Sequence, residues 1–255
     1  MILDAHAHYD DPAFAADRNA LIASLPAAGI GLVVNAGSDL ASSRASVALA
    51  EQWPFFRAAV GIHPHEASSW DGAAERELRA LAAHPRAVAL GEIGLDYHYD
   101  LSPRDVQKRV FERQLALAEE LGLPVVLHER EALSDTLEIL ARHPGAKGMF
   151  HCFSGSPETA AECVKNGWYI SLGGAVTFKN AKRPPAVMAS VPGDRLLTET
   201  DCPYMAPVPF RGRRCDSTMI RRVLEAGAAF RNEDEASLEA QIFANGLRFF
   251  RVDDL

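Results

Sequence analysis

The sequence predicts a single-domain (β/α)8 TIM barrel over residues 1–255, with an extra C-terminal helix. Eight short aliphatic or β-branched runs recur along the chain, and an amphipathic stretch with helical spacing follows each run. The 255 residues divided by eight give about 32 per repeat, which suits one strand, one helix and two short loops. An open doubly wound sheet fits the same alternation, but the Gly-x-Gly-x-x-Gly turn typical of such sheets is absent after the first run.

The elements follow one another in a regular order. The predicted strands are 2–5, 32–36, 57–62, 87–91, 124–127, 148–150, 168–172 and 196–200. The intervening stretches are amphipathic, and 105–121 has its apolar residues near one stripe. His84 and His143 each precede a proline between a helical stretch and a strand, so we interpret both as helix-end residues. The last amphipathic stretch, 233–251, predicts the extra helix.

Composition and charge restrict the classes of function. A hydrophobic content of 48% is ample for a sizeable core. The net charge of -8 argues against a generally basic nucleic-acid-binding surface, although a local basic patch or metal ions can still receive a phosphate-rich ligand. The first residues lack a signal-peptide pattern, and the four cysteines show no Cys-x-x-Cys spacing. We therefore expect a cytoplasmic protein with reduced thiols and no membrane span, and we expect a monomer.

Residues that commonly bind metals close most of the predicted strands. Barrel enzymes carry their chemistry where strands end and the following loops begin. The residues at those ends are His6, His8, His63, His65, Glu92, His128, His151 and Asp201. His6 and His8 are separated by one residue, so strand alternation directs both imidazoles to the same side. Asp4 has the same parity, which suits either a bond to a histidine N–H or a capping role.

This set of side chains predicts a hydrolytic centre with two divalent metal ions. Imidazole and carboxylate without thiolate suit zinc, manganese or another first-row ion, and suit magnesium less well. A catalytic zinc keeps about three protein ligands and an open position, so six ligands divide more naturally over two ions. The six are His6, His8, Glu92, His128, His151 and Asp201. We expect Glu92 to bridge the ions and Asp201 to accept a proton from the attacking water.

Six short motifs carry a resemblance to a known family. They are Asp4-Ala5-His6-Ala7-His8, Gly61-Ile62-His63-Pro64-His65, Gly91-Glu92-Ile93-Gly94-Leu95-Asp96-Tyr97, Pro124-Val125-Val126-Leu127-His128-Glu129-Arg130, His151-Cys152-Phe153-Ser154-Gly155 and Glu199-Thr200-Asp201-Cys202-Pro203-Tyr204. Together they resemble the TatD family of metal-dependent deoxyribonucleases, within the amidohydrolase-like group of metal-dependent hydrolases. The resemblance runs from one end of the chain to the other.

The resemblance implies a TIM barrel that binds divalent metals through the same six ligands. It also implies a phosphodiesterase that acts on DNA, typically trimming single strands from the 3′ end, with His63, His65 and Arg130 near the substrate phosphate. One stretch departs from the family, which usually reads Arg-Gly-x-Arg-Asn-Glu-Pro where this chain has Arg211-Gly212-Arg213-Arg214-Cys215-Asp216-Ser217. This departure leaves the metal ligands intact and bears on loop shape and substrate preference.

Two basic stretches follow the last two predicted strands. No Asp or Glu occurs over 171–193 or over 202–215. These stretches hold Lys179, Lys182, Arg183, Arg211, Arg213 and Arg214. Loops at these positions frequently form the phosphate site of a barrel, so they suit single-stranded DNA or another phosphodiester, with Arg211 as a candidate substrate contact. The aromatic residues available there to stack on unpaired bases are Tyr97, Tyr99, Phe178, Tyr204 and Phe210.

Two other functions fit parts of the pattern. A metal-dependent amidohydrolase would act on a cyclic amide or another small-molecule C–N or ester bond, and such enzymes often bridge their metals with a carboxylated lysine. Here Glu92 ends the fourth strand, and Lys147 falls at the start of the sixth. A non-catalytic metal-binding barrel predicts a damaged ligand set, whereas all six ligands are present.

Overall fold

The computed structural model describes residues 1–254, whose eight strands follow chain order in one sheet, with helices between them. The strands are β1 Ile2–Ala7, β2 Ile30–Ala36, β3 Phe56–Val60, β4 Ala87–Asp96, β5 Val125–Arg130, β6 Gly148–Phe150, β7 Tyr169–Leu172 and β8 Leu196–Thr198. The helices are α1 Arg18–Ser24, α2 Leu40–Gln52, α3 Gly72–Ala82, α4 Arg104–Leu121, α5 Leu133–Arg142, α6 Pro157–Lys165, α7 Arg183–Ser190, α8 Arg221–Arg231 and α9 Glu235–Phe250. The pairs β1–β2, β3–β4, β4–β5, β5–β6 and β7–β8 are parallel. This order confirms the predicted (β/α)8 class and the extra helix.

The chain divides into two compact units. Residues 1–35 and the segment from 151 onward form unit 1, and residues 36–150 form unit 2. The expectation of one domain over 1–255 stays a prediction. Among residues 1–254, no helix combines the length and the apolar character needed to cross a membrane.

In unit 1, the extra helix α9 covers β1 and β8. Its residues Ile242, Phe249 and Phe250 are buried, which is the apolar stripe that the sequence pattern indicates. Gly246 permits the close approach, because a Cβ atom at that position would lie 2.4 Å from the Cδ2 atom of Leu3. The helix therefore packs directly on the strand that carries the first two candidate ligands.

In unit 2, α4 is fixed to the neighbouring strands by two buried glutamine side chains. Gln114 accepts a hydrogen bond from the Ile62 N–H at 2.8 Å and donates one to the Ile62 carbonyl at 2.9 Å. Gln107 accepts a bond from the Asp96 N–H at 2.9 Å. These bonds satisfy backbone groups of Ile62, which follows β3, and of Asp96, the last residue of β4.

Five observed strand ends differ from the predicted ones, at β1, β3, β4, β5 and β8, and two of them have a local cause. The fourth strand runs to Asp96 rather than ending at 91, because Glu92 and Gly94 interrupt the apolar run in the sequence although the strand continues, with all of its residues buried. The eighth strand ends at Thr198 rather than at 200, because the chain turns through Asp201, whose φ is 57°. Both differences concern the segments that carry candidate ligands.

We expect Gln114→Leu to lower the free energy of unfolding by about 2–4 kcal/mol, because it leaves two buried backbone groups of Ile62 without partners. Urea unfolding followed by circular dichroism measures this loss. Gln52→Leu, at the exposed end of α2, is the matched control, with an expected change within about 0.5 kcal/mol. Equal stability of the two variants would contradict the role assigned to Gln114.

Candidate metal centre

Three predicted ligands, His6, His8 and Asp201, lie together in unit 1. The Nε2 atoms of His6 and His8 are 3.0 Å apart. The Oδ1 atom of Asp201 lies 3.5 Å from His8 Nε2 and 3.8 Å from His6 Nε2. His6 is completely buried, whereas His8 and Asp201 are partly exposed. One ligand atom from each residue lies within 4.8 Å of the other two, which is close enough for all three to bind one ion.

Asp201 is held by backbone bonds between the end of β1 and the chain that follows β8. Its N–H donates to the His6 carbonyl at 3.0 Å, and the His8 N–H donates to the Cys202 carbonyl at 2.8 Å. The φ of 57° is in the left-handed region, which residues with a side chain rarely adopt. Burial alone would raise the pKa of Asp201, but the His8 hydrogen bond and the nearby His151 and His6 hold it below its ordinary value. The carboxylate is therefore ionised.

His151, a fourth predicted ligand, lies beside His6 in the same unit. Their rings stack with centroids 4.0 Å apart. The buried carboxylate of Glu199 also lies beside His151, with its Oε1 atom 3.4 Å from His151 Nδ1. Glu199 also accepts hydrogen bonds from the Ser171 hydroxyl at 2.6 Å and from the Cys152 N–H. A carboxylate in this position fixes the ring orientation of a histidine and favours Nε2 as the metal-binding atom.

Asp4, which is buried in β1, binds the segment that leads to Asp201. Its carboxylate accepts hydrogen bonds from the Thr200 N–H at 2.8 Å and from the hydroxyls of Thr200 and Ser217, both at 2.6 Å. Burial raises the pKa of Asp4 to about 7, although these hydrogen bonds oppose the shift. Asp4 therefore binds Thr200 and Ser217. The other expected role, a bond to a histidine N–H, is not observed among the described residues.

Ser217 stands where the family pattern has proline, and its N–H and hydroxyl are both used. The N–H donates to the Tyr9 hydroxyl oxygen at 3.0 Å, and the Tyr9 hydroxyl donates to Ser217 Oγ at 2.8 Å. Proline has neither donor. Cys215, where the family pattern has asparagine, is buried, and its N–H donates to the Pro203 carbonyl at 2.9 Å. The altered loop therefore supplies internal polar contacts in unit 1.

A second group, His63, Glu92 and His128, lies in unit 2. The Oε1 atom of Glu92 is 2.6 Å from His128 Nδ1 and 3.5 Å from His63 Nε2. One ligand atom from each residue lies within 4.8 Å of the others. Burial and the nearby His128 lower the pKa of His63 to about 4, and the neutral imidazole is the form that binds metal ions. His63, expected at the substrate phosphate, thus lies among residues that can bind a metal ion.

Gly94 allows β4 to approach β5 beside the second group. Its φ is 147°, and a Cβ atom at this position would lie 1.9 Å from the carbonyl oxygen of His128. The two residues are partners in the strand register. Any side chain at position 94 would therefore displace the backbone of His128 and separate its imidazole from Glu92.

Asp96, which was not among the predicted site residues, orients two histidines of unit 2. Its Oδ2 atom lies 2.9 Å from His65 Nε2 and 3.1 Å from His128 Nε2, and its Oδ1 atom accepts the Tyr99 N–H at 2.8 Å. Burial opposes ionisation, but the hydrogen bonds from His128, Tyr99 and His65 hold the pKa of Asp96 below its ordinary value. His128 is consequently fixed between two carboxylates, those of Glu92 and Asp96.

Strand parity was the signal that could have found the two missed carboxylates. Asp96 shares the parity of Glu92 in β4, and Glu199 shares the parity of Asp201 in the last motif. Neither Asp96 nor Glu199 is the residue that closes an apolar run, which is the position that marked the predicted ligands.

His65 and Arg130, the other two predicted substrate contacts in unit 2, both lie against the ring of Tyr99. The ring of His65 lies 5.4 Å from that of Tyr99 in an edge-on arrangement, and the Arg130 guanidinium lies 4.8 Å above the Tyr99 ring. Tyr99 is 55% exposed, so its ring is available to a ligand.

The interpretation of His84 and His143 as helix-end residues is confirmed. His84 lies just beyond α3 and contacts Glu51 at 3.2 Å. His143 caps α5 and contacts Glu119 at 3.1 Å.

The donor atoms in both groups fit divalent metal ions. Each group combines imidazole nitrogens with a carboxylate oxygen, and neither contains a thiolate. The two Nε2 atoms of His6 and His8 lie 3.0 Å apart, where they can share a proton or, when both are deprotonated, bind one cation. The residues present therefore suit a metal-dependent enzyme.

Comparisons with known proteins identify the family. The model of the family described as TatD related DNase matches residues 3–251. An uncharacterized metal-dependent hydrolase, YabD, of Bacillus subtilis is 40% identical over 256 residues, which cover 99% of this chain and 100% of the relative. The 3'-5' ssDNA/RNA exonuclease TatD of Cronobacter sakazakii is 37% identical and is matched over 92% of each chain. The crystal structure of YjjV, a TatD homolog of Escherichia coli K12, has a TM-score of 0.92 at 30% identity and covers 98% of each chain. This chain belongs to the TatD family, as the motifs predicted.

We expect Gly94→Ala to lower both metal content and stability, because the added Cβ collides with the carbonyl of His128. Bound metal per chain, measured by mass spectrometry, should fall at least twofold, and the urea midpoint should fall with it. Gly212→Ala is the control, since Gly212 also has a positive φ of 82° but an open surrounding. Equal metal content in the two variants would rule out the steric role of Gly94.

Proposed function

We propose that this protein is a metal-dependent phosphodiesterase that trims single-stranded DNA from its 3′ end, with two divalent ions as cofactors. The observation that carries the proposal is the presence of two histidine–carboxylate groups, one in each unit, whose residues lie within the strands or just after them. Relatives of the same family are named 3'-5' ssDNA/RNA exonucleases and match this chain over nearly its whole length.

Each group would hold one ion. In unit 1 the proposed ligands are His6, His8, His151 and Asp201. In unit 2 they are Glu92 and His128, with His63 as an additional nitrogen donor. When bound, such ions lower the pKa of water and stabilise negative charge on phosphate oxygens. The bridging of both ions by Glu92, expected from the sequence, stays a prediction.

Asp201 would act as the general base. Its carboxylate is ionised and partly exposed, so it can accept a proton from the attacking water at a carboxylate oxygen. The water oxygen then forms a bond to phosphorus as the P–O bond to the leaving oxygen breaks, and the leaving oxygen gains a proton from Asp201 or from solvent. The backbone bond to His6 and the left-handed turn keep the Asp201 carboxylate in place, so the transfer needs no reorganisation of the chain.

His65, Arg130 and Tyr99 would contact the substrate strand. Arg130 supplies a positive charge for a phosphate, and the exposed ring of Tyr99 offers a face on which an unpaired base can stack. The hydrogen bond to Asp96 fixes the His65 ring, so its other nitrogen is oriented for a phosphate oxygen.

The amidohydrolase alternative is not favoured. The carboxylate that would replace a carboxylated lysine, Glu92, lies within the second metal-binding group. The relatives named as exonucleases are also closer in sequence than the solved amidohydrolase of Saccharomyces cerevisiae, which is 19% identical. We further propose a cytoplasmic location, because Cys202 and Cys215 are buried thiols outside any disulfide, and the expected monomer stays a prediction.

We expect Asp201→Asn to reduce kcat on a single-stranded oligonucleotide by at least about 100-fold, because it removes the proton acceptor. Circular dichroism should show an unchanged fold. Asp253→Asn, an exposed residue near the C-terminus, is the matched control and should retain full activity. A metal-replete wild-type protein without activity on DNA, RNA or model phosphodiesters would contradict the proposed function.

A 5′-end-labelled single strand distinguishes the mode of attack. We expect a ladder of products that shortens from the 3′ end, with zinc or manganese supporting more activity than magnesium because five of the seven proposed ligands are imidazoles. Removal of metal by a chelator should stop the reaction, and addition of the ion should restore it. Fragments of internal cleavage from the earliest time point would contradict 3′ trimming.

A further inference from the structure

Two adjoining cavities lie in unit 1 outside the metal-binding residues. Their volumes are about 680 and 590 Å³, and they share Phe178, Lys179, Ala181 and Val208 as lining residues. The residues come from the loops that follow β7 and β8, from α7 and from α8. We call this surface the 178–230 groove. It contains none of the candidate metal ligands, so it is a separate feature of the unit.

The cations around the groove have no acidic partners among residues 1–254. Lys179 and Arg211 line the groove, are exposed and make no ion pair with the described residues. Lys182, Arg183 and Arg213, which are close to them in sequence, are also exposed and make none. The one carboxylate in the lining, Glu225, is neutralised by Arg222 at 2.7 Å. The groove lining thus carries two uncompensated positive charges, with three more close by in sequence, within an acidic protein, which makes it electrostatically complementary to a polyanion.

Arg214 differs from its neighbours. It forms a two-bond pair with Asp17, with both contacts at 2.7 Å, and its guanidinium lies over Phe14. Of the six basic residues noted in the sequence, this one is therefore committed to an internal contact, and we leave it out of the groove.

The groove combines these charges with an apolar wall. The Arg211 guanidinium lies 3.7 Å from the centre of the Phe178 ring, which orients it without a carboxylate. Val208, Pro209 and Phe230 continue the wall, and Phe230 is 45% exposed. Flat apolar surface beside unpaired cations matches a single nucleic-acid strand, which alternates phosphates with bases whose faces can stack.

We propose that the 178–230 groove binds a second stretch of the single-stranded substrate, away from the nucleotide that reacts. Lys179 and Arg211 contact its phosphates, and the apolar wall receives its bases. This inference rests on the proposed function and gives it a consequence: the protein binds long strands more tightly than short ones, with little dependence on base sequence. An acidic protein segment would use the charges but leave the apolar wall uncovered.

The test is a binding measurement that requires no turnover. Fluorescence anisotropy of labelled twelve-nucleotide and three-nucleotide oligothymidylate, with metal chelated, gives Kd for the wild type and for the double variant Lys179→Gln/Arg211→Gln. We expect the variant to bind the long strand at least about tenfold more weakly. The slope of log Kd against log salt should fall by about 1.4 for two lost phosphate contacts on a single strand. Lys165→Gln/Arg76→Gln removes the same charge from exposed residues outside the groove and should bind as the wild type does.

The outcomes separate this inference from the proposed function. Equal Kd for the groove variant and the control variant would overturn the inference. Equally tight binding of an oligoglutamate of matched charge, with the same loss in the groove variant, would overturn it in favour of an acidic protein partner. Failure of the proposed function would appear instead as wild-type protein that cleaves no strand with metal present, which is independent of the Kd measurement.

Discussion

The buried carboxylate of Asp4 is the constraint on which the unit 1 site depends. It joins three segments that are distant in sequence: β1, the turn before Asp201, and the loop at Ser217. A buried carboxylate is costly unless it is fully hydrogen-bonded, so these three partners have little freedom to move. Because His6 follows Asp4 in β1 and Asp201 follows Thr200, the same bonds set the separation between two candidate metal ligands.

Buried carboxylates also contact the histidines that are proposed to bind the ions. Glu199 lies against His151 in unit 1, and Asp96 binds His128 and His65 in unit 2. In each case a buried carboxylate fixes the orientation of an imidazole before any ion arrives. Such preorganisation raises metal affinity and keeps ligand geometry from being lost to side-chain freedom. Burial of several carboxylates costs free energy of folding, and their contacts hold the proposed ligands rigidly.

The fold class and most of the candidate metal ligands could be predicted from the sequence. Strand–helix alternation is a periodic signal, so it predicted the fold class, and metal-binding residue types at strand ends predicted groups that the structure does bring together, such as His6 with Asp201. Asp96 was not predicted as a site residue, because glycines interrupt the apolar run over the part of β4 that leads to it. The pairing of Arg214 with Asp17 and the hydrogen bonds of Ser217 were not predicted, because they join residues that are 197 and 213 positions apart, which no local pattern encodes.

The central claim is that the two histidine–carboxylate groups are metal sites of a phosphodiesterase. Anomalous diffraction at the absorption edge of zinc or manganese, from crystals grown with the ion, tests it most directly. We expect two anomalous peaks per chain, one in contact with Asp201 and His8 and one in contact with Glu92 and His128. Crystals of folded protein soaked in either ion that show no peak at either group would contradict it.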